Sequence, residues 1–214
     1  MKTIPAKHAS ARVKSRDDGP REPIVARYAN VRCKIRDGDL LSFRPRPRWW
    51  RFWEYATWLI ALTNQDRICH SAMAAWWHGN LMLVQMTSSP DRVVRLSEVV
   101  KRWPGKCVVS RAMPSNRRFS RGKAVEVMIK ISARKYGWWR LFLMGFAHTL
   151  LGRAIAPRSH KDCERSKWPP VCSQAVSMAV RAAGVDPCPK LADRSTEPVD
   201  LYESEFYRPV YILV

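Results

Sequence analysis

Acidic residues are scarce. The 214-residue chain carries 18 Asp and Glu against 38 Lys and Arg, a formal net charge of +20. Such an excess favours contact with an anionic polymer or surface: nucleic acid, cell-wall polymer or a membrane face. No C-x-x-C pair occurs among the six cysteines at 33, 69, 107, 163, 172 and 188, which argues against zinc ribbons and thioredoxin-type motifs. Six cysteines in a chain that is 46% hydrophobic are also too sparse for a small disulfide scaffold, so a reducing compartment is expected. Long apolar runs are missing. The most apolar segment, residues 141–151, lies between Arg140 and Arg153 and falls short of the roughly 20 residues a membrane span needs. The basic N-terminal region has no apolar stretch of the secretory kind, which predicts a cytoplasmic or virion-associated protein without a signal peptide. Repeats are absent. The spacing of His160, Cys163 and Cys172 matches no zinc pattern, so neither metal nor cofactor is expected.

What is present divides the chain in two. Residues 1–30 are polar and basic, with Arg12, Lys14, Arg16, Arg21 and Arg27 among Pro, Ser and Asp, and predict a flexible arm. From Val31 onward the pattern is that of a single folded domain. Ile35 to Phe43 reads as a turn at Asp37-Gly38 followed by a buried strand. Residues 49–62, with six large aromatics, predict a helix. Two apolar runs, 68–77 and 81–87, meet at His78-Gly79-Asn80 and predict an antiparallel hairpin. A short strand and helix over 93–103, a strand over 106–111, helices over 124–134 and 141–154, and a last strand over 210–214 complete the order. Strands first, helices next and a terminal strand predict an α+β fold, a central antiparallel sheet packed against helices.

The sharpest local signal is Trp168-Pro169-Pro170-Val171-Cys172-Ser173-Gln174. Two prolines stop what precedes them, and a run of helix formers then leads to Gly184. Cys172 is therefore expected at the first turn of a helix. The unpaired N–H groups and positive dipole end there favour a thiolate and can hold an oxyanion. The plainer alternative is a small buried thiol in a core helix. A thiol nucleophile needs a base. Of the five histidines, His70 stands at the start of a strand, where its ring can project towards a helix N-terminus.

The order of these parts resembles the circularly permuted NlpC-type papain-like hydrolases, of the YiiX-like branch. The matching pieces are Gly38-Asp39-Leu40-Leu41, then His70 at the head of a hairpin whose second strand carries Gln85, then Cys172-Ser173-Gln174-Ala175-Val176. The tail adds Gly184-Val185-Asp186-Pro187 and Pro198-Val199-Asp200-Leu201. The resemblance spans residues 35–214. It implies a papain-like fold, Cys172 as nucleophile, His70 as general base and acid, and Gln85 as the residue that orients the imidazole. In this branch the third position is often acidic; an amide there accepts the imidazole N–H but stabilises imidazolium less. Counting strand positions leaves Thr87 as an alternative to Gln85.

The implied reaction is thiol hydrolysis of an amide or peptide bond held in a groove, with bacterial cell-wall peptides as first substrate class. Acyl chains on lipids or proteins come second. A third possibility, of another class, is a basic nucleic-acid-binding or virion-type structural protein that keeps the fold without the chemistry. Residues 101–140 hold about a dozen Lys and Arg and a single acid, Glu126. Within them Arg117, Arg118, Arg121 and Lys123 form a candidate anion-binding loop.

Overall fold

The computed structural model describes residues 22–44, 68–103, 105–113, 118–137 and 169–214. The helices expected over 49–62 and 141–154, and Arg117, lie outside the described residues.

The fold is mixed α+β, built on a seven-stranded sheet. In chain order the elements are β1 (Ile24–Ala26), α1 (Tyr28–Val31), β2 (Leu40–Arg44), β3 (His70–Trp77), β4 (Asn80–Val84), β5 (Val93–Arg95), α2 (Leu96–Arg102), β6 (Lys106–Ala112), α3 (Arg121–Ser132), α4 (Cys172–Ala182), α5 (Pro198–Tyr202) and β7 (Tyr207–Leu213). Across the sheet the order is β1-β7-β6-β2-β3-β4-β5. Every pairing is antiparallel except β1 with β7. Among the described residues no helix is long and apolar enough to cross a membrane.

Alternation along the strands sorts the core onto two faces. Leu40, Met73, Ala75, Val84 and Ala112 pack with the apolar stripes of α3 and α4. Leu41, Phe43, Ala72, Ala74, Leu83 and Val109 pack with Leu96 of α2 and with Val31 and Ile35. Helix α4 lies against β3 through Ala175, Val176, Ala179 and Val180, all fully buried. Small residues at 175 and 179 allow its axis to come close to the sheet.

The Gly38-Asp39 turn is held by charge as well as shape. Gly38 adopts φ +76°, a left-handed conformation that favours glycine. Asp39 is fully buried. Its carboxylate accepts the backbone N–H groups of Arg36 (3.0 Å) and Ala112 (3.3 Å) and pairs with the Arg121 guanidinium at 2.9 Å. Arg121 also donates to the carbonyls of Asp37 and Ala112, at 2.6 and 2.9 Å. One carboxylate thus ties the start of β2, the end of β6 and the start of α3. At the far end of α4, Arg181 bridges Asp186 (3.1 Å) and Asp193 (3.5 Å), and Ser177 donates to Asp193 at 2.6 Å. The tail after Gly184 is thereby fastened back onto α4.

One boundary needs correction. The arm expected over 1–30 is not flexible to its end: residues 24–26 form β1, and Tyr28–Val31 form α1. β1 is short, and Ile24 and Val25 remain largely exposed, so no local hydrophobic pattern announced it. Its order comes from β7, through the pairs Ile24–Tyr211, Val25–Ile212 and Ala26–Leu213.

Candidate active site

Cys172 is the first residue of α4. The residue before it, Val171, has extended backbone and no side-chain acceptor to cap the helix. Instead, the Gln174 Oε1 reaches back to the Val171 N–H at 3.3 Å. The first-turn N–H groups are thus left for another acceptor, and the Cys172 sulfur takes that place. It accepts from the backbone N–H of Ser173 in its own helix and of Ser71 in β3. Cys172 is only 5% exposed.

Beside the sulfur stands the His70 imidazole, half-buried at the first position of β3 and hydrogen-bonded to Cys172. Its ring leans on Phe43, with centroids 5.7 Å apart. On its other side His70 Nε2 meets Gln85 Oε1 at 2.8 Å. The amide orientation follows from its second contact. Gln85 Nε2 donates to the Asp91 carbonyl at 2.7 Å, and a carbonyl can only accept. Oε1 is therefore the atom facing the ring, and the histidine must donate from Nε2. That leaves Nδ1 for the sulfur. Cys172, His70 and Gln85 form a continuous chain from thiol to imidazole to amide.

The electrostatics agree with the geometry. Burial alone would push the Cys172 thiol up. The charge and hydrogen bond of His70, with the Ser71 and Ser173 N–H groups, outweigh it and hold the thiol below its ordinary value. His70 shows the mirror effect. Burial would lower it, but the thiolate and the bonds to Cys172 and Gln85 raise it. The pair therefore favours thiolate and imidazolium. The other buried thiols behave oppositely. Burial, reinforced by the Cys172 charge, pushes Cys69 up to about 12. Burial with nearby carboxylates does the same for Cys188. Burial raises Cys107 as well.

Gln85 reaches His70 from just past the end of β4. The pair Met73–Val84, extended by three residues, would put Thr87 opposite His70. The Thr87 hydroxyl instead accepts from Ser89 N–H at 3.4 Å in the turn that follows. Gln85, two positions away, spans the diagonal with its longer side chain. It also borders a cleft of about 290 Å³ lined by Asp91, Glu98, Arg102 and Trp103.

The basic loop is divided. Arg118 and Lys123 are exposed. Arg121 is held by Asp39 and two carbonyls, so its guanidinium serves the fold. Among the described residues no group of His, Cys, Asp and Glu side chains is placed to hold a metal ion.

One residue beside the sulfur went unnoticed in the sequence. Tyr136, which falls between the helices expected over 124–134 and 141–154, lies close enough for the Cys172 charge to act on its phenol. The only local signal was the glycine after it. No protein-family model matches the chain, and no curated protein matches it.

Proposed function

We propose that the chain is a papain-like thiol hydrolase of the permuted NlpC type, which cleaves an amide or peptide bond. The observation that carries this reading is the thiol–imidazole–amide chain at a helix N-terminus, with the thiol pKa lowered and the imidazole pKa raised. Cell-wall peptides are the leading substrate class, through the family resemblance.

In the reaction the Cys172 thiolate attacks the carbonyl carbon. The carbonyl oxygen becomes an oxyanion, which the Cys172 backbone N–H at the helix start can meet. The His70 imidazolium gives its Nδ1 proton to the leaving amine as the carbon–nitrogen bond breaks. Neutral His70 then takes a proton from water, which attacks the thioester and releases the acid. Throughout, Gln85 Oε1 holds the Nε2–H and so keeps Nδ1 turned to the sulfur.

The test is iodoacetamide labelling at pH 6, read by peptide mapping. Cys172 should label well ahead of Cys33, the one exposed thiol among the described residues. Asparagine in place of His70 should reduce that rate about tenfold or more, because the thiolate loses its counter-charge. Equal labelling of Cys172 and Cys33 in the wild type would remove the activated nucleophile and with it the hydrolase.

A further inference from the structure

An acyl-transfer site stabilises its oxyanion with preorganised donors, and loss of one costs about 10²–10³ in rate, so a second donor beside the Cys172 N–H matters. The region beside Cys172 offers a side chain for the task. Tyr136 follows α3 by a few residues and is half-buried, packed against the core that α3 and α4 share. Its position is fixed by the residue after it. The Gly137 N–H donates to the Pro170 carbonyl at 3.2 Å. A Cβ at Gly137 would stand 2.2 Å from the Pro169 oxygen, so only glycine lets the two segments approach this closely. The segment carrying Tyr136 is therefore clamped to the residues that lead directly into Cys172. Both Pro170 and Gly137 are buried, which leaves the clamp little freedom.

We infer that Tyr136 is a catalytic residue whose phenol O–H donates to the oxyanion formed when Cys172 attacks its substrate. The assignment rests on the thiol-hydrolase reading of Cys172. Its chemistry is consistent with the surroundings. Burial, followed by the nearby Cys172 charge, raises the phenol above its ordinary value, so it keeps its proton and stays a donor wherever the thiolate is active. A phenol O–H is also self-limiting in the resting enzyme. It can rest near the thiolate and turn to the carbonyl oxygen as negative charge moves there from sulfur. No proton changes hands: the O–H remains on tyrosine through formation and collapse of the tetrahedral species.

Two reactions of the same thiol separate this role from a structural one. Alkylation by iodoacetamide displaces iodide at a saturated carbon and builds no charge on a carbonyl oxygen. Acylation by p-nitrophenyl acetate passes through an oxyanion and releases p-nitrophenolate. In Tyr136→Phe, the acylation burst of Cys172 should slow about 10²-fold, while alkylation at pH 6 stays within about threefold of wild type. Acylation at the wild-type rate overturns the assignment. Equal losses in both reactions also overturn it, since they mean the tyrosine only supports the thiol. Failure of Cys172 to label selectively in the wild-type protein would sink the hydrolase reading itself, and this assignment with it.

Discussion

Replacing Gln85 by Glu puts a carboxylate where an amide oxygen now accepts the His70 Nε2–H at 2.8 Å. The exchange keeps the acceptor and adds a charge. Two unit charges about 4 Å apart attract by about 4 kcal/mol at an effective dielectric of 20. That ceiling corresponds to roughly three pKa units. Two effects reduce it. The cleft beside Gln85 admits water and screens the pair. The amide N–H that donates to the Asp91 carbonyl is also lost, and a carboxylate oxygen facing that carbonyl is repelled. A net rise of one to two units in the His70 pKa is expected. The sign is then fixed. Reactivity of the thiolate–imidazolium pair rises as Cys172 deprotonates and falls as His70 deprotonates. The pKa of Cys172 is lowered and that of His70 raised, which moves the acid limb down and the alkaline limb up. In Gln85→Glu the alkaline limb should move up by one to two pH units. In Gln85→Ala it should move down, because the bond that favours imidazolium is gone. The assay is the rate of p-nitrophenyl acetate acylation from pH 4 to 10 at constant ionic strength. An alkaline limb that stays put in both variants would mean that Gln85 does not act on the imidazole.

Two further outcomes test the frame and the surface. Asp39→Ala strips a fully buried carboxylate from Arg121 and from two backbone N–H groups. Breaking such a pair costs about 3–5 kcal/mol, which lowers the melting temperature by on the order of 10 °C for a chain of this size; a loss under about 1 kcal/mol by calorimetry would refute the knot. Binding to duplex DNA and to an anionic wall polymer should weaken steeply with salt. Ala at Arg118 and Lys123 should flatten the DNA slope by about 0.9 for each phosphate contact removed and leave Cys172 alkylation unchanged. Salt-insensitive affinity for both polymers would refute the electrostatic reading.

The parts legible in the sequence share one property: their cause is local. Two prolines before Cys172 and a run of helix formers after it fix a helix start regardless of what packs there. The His78-Gly79 turn, with φ values of 47° and 75°, sits where the apolar runs on either side required it. What escaped was set at a distance. Arg121 falls in a basic run and reads as surface, yet its partner, Asp39, lies across the fold on β2's leading turn. β1 is three residues without a pattern of its own. Gln85 and Thr87 were inseparable by counting, because strand register ranks direct neighbours while side-chain length decides a diagonal contact. Tyr136 acquires its place only once Gly137 meets Pro169 and Pro170.

The sheet is sewn together from its two ends of sequence. β7 lies between β1 and β6, pairing Ile24 with Tyr211 on one side and Val109 with the same residue on the other. β1 has no strand to lie against until β7 has been made. The helix bearing Cys172 also comes late, long after the His70 hairpin. During synthesis the hairpin can fold early, but the thiol has no partner until α4 docks, and closing β7 onto β6 and β1 is a slow, long-range step. The imidazole therefore waits for its sulfur. A ribosome-bound fragment ending before residue 172 would carry His70 and Gln85 without the Cys172 thiol, so the thiol–imidazole pair forms only after α4 has been made.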